Sequence, residues 1–117
     1  MNGLAVRFET VPTVPQAGQE IRWVFTVENQ EERTRMLTFS STQQGEVVLE
    51  ADGVERYRWS NGKAFAQMIV EKELPAGGEL AFVLDDVLTV EPGTYALLAT
   101  VTSRPAPPPV REEVTVV

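Results

Sequence analysis

Apolar residues recur at every second position along most of this chain, and helical periodicity is almost absent. The clearest run is 21–28. Its alternate positions carry large apolar side chains: Ile21, Trp23, Phe25 and Val27. Because successive side chains of a β-strand point to opposite faces, this run predicts a central strand with one face on the core.

Further runs of the same kind follow, separated by turn-forming residues at intervals of about 8–12 residues. They lie at 4–9, 36–41, 46–51, 54–60, 63–70, 80–85, 94–103 and 110–117. The pattern predicts an all-β fold, an immunoglobulin-like antiparallel β-sandwich of about eight or nine strands. A length of 117 residues is that of one domain, so 1–117 is expected to form a single sandwich.

Two dipeptides in the middle of the chain are strong hairpin signals. Asp52-Gly53 and Asn61-Gly62 each separate two strand-like runs, and a type I′ turn needs positive φ at both central residues. Together they predict a three-strand meander over 46–70. An irregular loop or one helical turn over 61–66 is the alternative.

The second of these hairpins predicts a specific register. A two-residue turn at 61–62 would place Trp59 opposite Ala64, so that a large side chain faces a small one. It would also place Arg58 opposite Phe65, within reach of a cation–π contact.

Tyr95 follows a Pro-Gly corner at the start of the penultimate predicted strand. In immunoglobulin-like sandwiches this is the place of the tyrosine corner, whose hydroxyl bonds back to the preceding backbone. Leu97, two residues further on, would then stand where antibody domains have their second cysteine. An ordinary half-buried strand tyrosine is the alternative.

Composition removes most catalytic chemistry. The chain has no Cys and no His, which excludes a disulfide, a thiol nucleophile, a His-based triad and the common zinc sites. Adjacent carboxylates such as Asp85-Asp86 point to opposite faces of a strand and are expected to be solvated surface charge. We therefore expect no enzyme activity, no catalytic residues, no metal and no cofactor.

Charge and hydropathy restrict the partners. With 10 Lys and Arg against 17 Asp and Glu, the formal net charge is −7, which argues against binding nucleic acid or an anionic membrane. The first ten residues contain no apolar run of signal-peptide length. A cytoplasmic protein is expected; an exported domain whose leader has been removed is the alternative.

Two segments could present a binding surface. The first, 59–65, combines Trp59 and Phe65 with a tight turn, and aromatic residues on a rigid hairpin make good anchors. Alternatively, both aromatics belong to the core and the segment is only a turn. The second, 104–109, has four prolines in six residues and is expected to be an extended connection between sheets.

Several blocks of the sequence resemble the bacterial intracellular proteinase inhibitor family, the BsuPI-type domain. The resemblance extends over about 20–103 and is strongest at 52–55 and 57–67, which read DGVE and YRWSNGKAFAQ. The blocks LPAGGE at 74–79 and EPGTY at 91–95 also agree in order and spacing.

The resemblance implies a non-catalytic protein that blocks an intracellular serine protease of the subtilisin type. A loop could enter the protease cleft as a substrate mimic, or a sheet edge could pair with the protease. For the loop, the block 59–65 is the candidate. Its protease-binding residues would be Trp59, Ser60, Asn61, Gly62, Lys63 and Phe65, with Trp59 as anchor and Lys63 or Phe65 as specificity side chain.

A rival of another class is an immunoglobulin-like structural or adhesion module of an exported bacterial protein, because the fold alone does not set function. The closing run 110–117 could pair with its own chain or with that of a neighbour, so either a monomer or an edge-strand dimer is expected.

Overall fold

The computed structural model describes residues 3–117, in which nine β-strands and no helix are found. The strands are β1 (Leu4–Val11), β2 (Glu20–Asn29), β3 (Arg35–Phe39), β4 (Gly45–Ala51), β5 (Val54–Arg58), β6 (Val70–Leu74), β7 (Glu79–Val87), β8 (Gly93–Val101) and β9 (Val110–Val116). No helix in this part of the chain has the length and apolarity needed to cross a membrane.

The strands form two principal sheets and a short ribbon, with antiparallel pairing throughout. One sheet has the order β1-β2-β7, and the other has the order β5-β4-β8-β9. Strands β3 and β6 form the two-stranded ribbon. The predicted immunoglobulin-like antiparallel β-sandwich of eight or nine strands is confirmed.

The inward positions of the central strands fill the core, as the alternation predicted. On β2 the residues Ile21, Trp23, Phe25 and Val27 are all buried. The ring of Phe25 stacks on that of Phe82 in β7 with centroids 4.7 Å apart. Burial of such side chains contributes about 1.5–3 kcal/mol each, so the apolar core is the main stabilising term of the fold.

The tyrosine corner predicted at Tyr95 is confirmed. The Tyr95 hydroxyl donates a 2.6 Å hydrogen bond to the backbone oxygen of Glu91, four residues upstream. Its ring and the side chain of Leu97 both lie in the core cluster that also contains Trp23. Apolar packing therefore takes the place that a disulfide has in antibody domains.

The first predicted hairpin forms as expected. Asp52 and Gly53 have φ values of 53° and 73° and connect β4 to β5. Asp52 is the one residue other than glycine with positive φ among residues 3–117. This is the backbone that a type I′ turn requires, and the Asp-Gly pair tolerates it.

The second predicted hairpin is wrong, and the alternative of an irregular loop over 61–66 is right. Strand β5 ends at Arg58, and no strand is formed between there and Val70. Strand β6 pairs with β3 instead, in a register that sets Val70 opposite Phe39. The meander over 46–70 and the pairs of Trp59 with Ala64 and of Arg58 with Phe65 therefore do not exist.

The chain closes on itself at its end. Strand β9 pairs with β8 of the same chain, from Gly93 opposite Val116 to Ala99 opposite Val110. Before it, Arg104 exchanges two backbone hydrogen bonds with Thr38, at 2.8 and 3.0 Å. The proline-rich segment 104–109 thus connects β8 to β9, which are neighbours in one sheet, so the expected connection between sheets is wrong. The segment is fixed to the ribbon at its first residue.

A chain of polar side chains joins the two principal sheets through the core. The indole nitrogen of Trp23 in β2 donates to the Tyr57 hydroxyl in β5 at 3.2 Å. That hydroxyl donates in turn to Asp86 Oδ2 in β7 at 2.7 Å. Burial, and after it the hydrogen bond to Asp86, raises the pKa of the Tyr57 hydroxyl well above its usual value.

Replacing Tyr95 by Phe tests the tyrosine corner. We expect Tyr95→Phe to lower the free energy of unfolding by about 1 kcal/mol, because it removes one hydrogen bond and leaves the Glu91 carbonyl without its donor. Urea unfolding measures this. As a control, Thr94→Val removes an exposed hydroxyl that is 3.3 Å from Thr115 and should change stability by less than about 0.5 kcal/mol. Equal effects of the two changes would contradict the corner's role.

The raised pKa of Tyr57 predicts a loss of stability in alkali. An unfolded tyrosine loses its proton at about pH 10, whereas in the folded chain Tyr57 keeps its proton to higher pH. Its stabilising contribution is therefore complete below pH about 10 and decreases as the pH rises above it. Denaturant unfolding at a series of pH values should show a shallower decrease for Tyr57→Phe. If the free energy of unfolding decreased equally with pH in the parent protein and in Tyr57→Phe, the loss of stability in alkali could not be assigned to Tyr57.

Candidate functional site

The segment 59–69, here called the β5–β6 loop, connects β5 to β6 and contains all six residues that the sequence predicted as the site. It begins with two consecutive turns. The amide of Asn61 donates to the Arg58 oxygen, and the amide of Lys63 donates to the Ser60 oxygen, both at 3.1 Å. Gly62 has a φ of 75°, which reverses the chain between them.

The first half of the loop is fastened to β7. The indole nitrogen of Trp59 donates to the Asp85 oxygen at 3.0 Å, and the Trp59 side chain is buried. The Lys63 ammonium donates to the Trp59 oxygen at 2.7 Å and lies 3.3 Å from Asp86 Oδ2. It also lies 4.8 Å from the centre of the Trp59 ring, a cation–π distance. Lys63 thus closes the turn on a carboxylate that also accepts from the core residue Tyr57.

A second carboxylate holds the same turn from the side of β4. Glu46 is buried, and its Oε1 accepts the backbone amide of Ser60 at 3.1 Å. Its Oε2 accepts from Gln43 at 3.2 Å and lies 3.5 Å from the Arg58 guanidinium. A buried carboxylate needs such donors, since an unpaired one would be costly. The turn therefore supplies a donor that the Glu46 carboxylate needs, and Glu46 supplies the acceptor for the Ser60 amide.

The second half of the loop is held at one point. The amide of Ala66 donates to the Thr42 hydroxyl at 3.0 Å, and the amide of Thr42 donates to the Ala66 oxygen at 3.1 Å. Beside this contact the ring of Phe65 lies against Trp59, with centroids 5.6 Å apart.

The free part of the loop, residues 64–69, is uncharged and exposes two large apolar side chains. No charged residue occurs between 64 and 69. The side chains of Met68 and Ile69 are 54% and 70% exposed, and Ile69 is the most exposed large hydrophobic residue of the described chain. On a protein with a net charge of −7, two adjacent exposed apolar side chains make this loop a candidate binding surface.

The six predicted site residues take different positions within the loop. Trp59 is buried; Ser60, Lys63 and Phe65 are partly buried; Asn61 and Gly62 are exposed. Trp59 and Lys63 therefore support the loop from inside, and the tip of the first turn is the part of this set that faces solvent.

Sequence reasoning missed the residues that hold the loop and those that it exposes. Asp86 was expected to be solvated charge, but its carboxylate binds Tyr57 and Lys63. Glu46 gave one signal, an acidic residue at the start of a strongly apolar strand. Thr42 gave none, because its partner lies far along the chain. Met68 and Ile69 were assigned to a strand that does not form.

The carboxylates do not assemble into a metal site. In residues 3–117 no group of three or more metal-ligating side chains lies close enough to hold an ion. Asp85, next to Asp86, points to solvent and pairs with Arg22 at 3.4 Å. The loop is therefore an exposed peptide segment that hydrogen bonds hold in place.

Three solved structures with this fold belong to larger proteins. The sporulation control protein Spo0M of Bacillus subtilis matches with a TM-score of 0.60 and 12% identity, over 99% of this chain and 50% of that chain. The alkylpurine DNA glycosylase AlkC of Pseudomonas fluorescens matches with a TM-score of 0.57 and 12% identity, over 100% of this chain and 31% of that chain. A β-glucosidase of Erythrobacter marinus matches with a TM-score of 0.54 and 13% identity, over 97% of this chain and 15% of that chain.

The chain therefore spans half or less of the length of these proteins, and at such identities they show the fold alone. No curated protein matches the chain.

A family model, however, covers most of the chain. The model for BsuPI, intracellular proteinase inhibitor, matches residues 8–106, a range that includes the whole β5–β6 loop together with Thr42, Glu46 and Asp86. The resemblance noted over 20–103 is thereby confirmed. The chain belongs to the BsuPI family of intracellular proteinase inhibitors.

Proposed function

We propose that this protein inhibits a cytoplasmic serine protease of the subtilisin type by placing the β5–β6 loop in the active-site cleft of the protease. The observation that carries the proposal is the family match over residues 8–106, within which the loop is the exposed feature that fits a cleft. The protein itself contributes no catalytic group. It acts by occupying the site.

The way the loop is built supports this mode of action. An inhibitor binds tightly when its contact segment is already ordered, because little conformational entropy is then lost on binding. Here Glu46 and Lys63 hold the first half of the loop, and Thr42 holds the second half. The part that would enter the cleft is thus fixed at both ends and free in between.

The charge of the loop supports the choice of target. The free part of the loop carries no charge, and it offers exposed apolar side chains. Such a segment suits a protease whose cleft is apolar better than one whose specificity pocket contains a carboxylate.

A titration of the purified protein into a panel of proteases tests this proposal. We expect near-stoichiometric loss of activity for subtilisin-type enzymes and none for trypsin, a metalloprotease or an aspartic protease. Circular dichroism of the same sample shows that the protein is folded. Absence of inhibition across the subtilisin-type enzymes, with a folded sample, would refute the proposal.

Lys63→Met tests whether the contacts that Lys63 makes within the loop and with Asp86 contribute to inhibition. The change keeps the apolar stem but removes the donor to Trp59 and the ion pair with Asp86. We expect the inhibition constant to rise about tenfold, which corresponds to the loss of one hydrogen bond made by a charged group. The matched control is Lys72→Met, at an exposed lysine of β6, which should leave inhibition unchanged. An equal effect of the two changes would indicate a general charge effect instead.

A further inference from the structure

The last part of the β5–β6 loop is one residue longer than the segment it faces. In the ribbon, Phe39 of β3 pairs with Val70 of β6, and the same register would set Thr42 opposite Gln67. Thr42 instead contacts Ala66 twice: its hydroxyl accepts from the Ala66 amide, and its own amide donates to the Ala66 oxygen. Three residues, 67–69, therefore cover the distance that Ser40 and Ser41 cover on the other side, and they must bow outward.

This bow places two apolar side chains in solvent between two fixed points. Ala66 is held by Thr42 on one side, and Val70 is held by the ladder with Phe39 on the other. Met68 and Ile69 lie between them with exposed fractions of 54% and 70%. The Met68 amide donates to the Ala66 oxygen at 3.1 Å, which further restricts the backbone before the Met68–Ile69 bond.

We infer that the Met68–Ile69 bond occupies the position of a scissile bond in the protease, with the Met68 side chain in an apolar specificity pocket. The inference rests on the proposed function and assigns the contact to one bond of the loop. Met68 is the better pocket residue of the two, because its unbranched side chain adapts to a deep pocket, whereas Ile69 is β-branched and stiff at χ1.

The two fixed points also explain how such a bond would resist cleavage. Hydrolysis would add the hydroxyl of a water molecule to the Met68 carbonyl carbon and a proton to the Ile69 nitrogen, breaking the peptide bond between them. Ala66 and Val70 would hold the two new ends side by side. The amine of Ile69 would then remain next to the acyl group that the protease transfers, so that resealing of the bond competes with its hydrolysis.

The decisive experiment compares Met68→Glu with Met36→Glu, using a subtilisin-type protease that the parent protein inhibits. Met36 is a matched control, since it is 44% exposed and lies on β3 outside the loop. A charge at Met68 would be buried in an apolar pocket, and we expect inhibition to weaken on the order of a hundredfold. Met36→Glu should remain within about twofold of the parent. Circular dichroism shows that both variants fold.

A second measurement follows the bond itself. After long incubation with the protease, mass spectrometry should detect slow cleavage between Met68 and Ile69. In Thr42→Val, which lacks the hydroxyl that accepts from Ala66, cleavage should be faster and inhibition about fivefold weaker. Thr42 is thus a positioning residue, and the cleavage rate reports on its effect on the bond.

The outcomes separate this inference from the proposed function. If the parent inhibits and Met68→Glu inhibits equally well, the assignment of the bond is overturned while the proposed function stands. Cleavage at another bond of the loop would overturn it in the same way. If the parent inhibits no subtilisin-type protease, both are overturned.

Discussion

The hydrogen-bonded chain from Trp23 through Tyr57 to Asp86 is the interaction on which the connection between the sheets and the β5–β6 loop depends. It crosses from β2 to β5 and back to β7, and so it ties together two sheets that no disulfide joins. The same Asp86 carboxylate then takes the Lys63 ammonium at 3.3 Å. One polar connection therefore joins the two sheets to each other and to the start of the β5–β6 loop. A network of this kind is strong only when every member is satisfied, and no unpartnered buried side-chain atom is found in the described residues.

The local sequence pattern was sufficient to predict a strand where one face of that strand packs on the core. The alternation through Trp23 and Phe25 identified β2, and the Pro-Gly corner before Tyr95 identified the tyrosine corner, because each signal is decided by neighbouring residues. The Asp-Gly and Asn-Gly dipeptides look alike in sequence but end differently. At Asn61 the local preference for a hairpin loses to contacts from distant residues, namely Glu46 on Ser60 and Thr42 on Ala66. Such contacts have no signature in a single sequence.

The sequence therefore predicted the candidate site as a segment but not as a surface. The block 59–65 was recognisable, and the structure turns its Trp59 and Lys63 inward to support the loop. The exposed residues follow just after the recognised block, where the sequence indicated a strand. The misplaced strand is the reason that Met68 and Ile69 could not be singled out: in a strand, one of the two would have faced the core.

The bow at 67–69 has a consequence for how the family can diversify. Its side chains lie outside the core cluster, and the backbone is fixed by Thr42 and Phe39, whose contacts are made by main-chain groups and one hydroxyl. We therefore expect substitutions at these three positions to leave folding stability nearly unchanged. Under the proposed function, these positions could therefore change to suit a new protease without a change in the sandwich, so that recognition would evolve separately from maintenance of the fold.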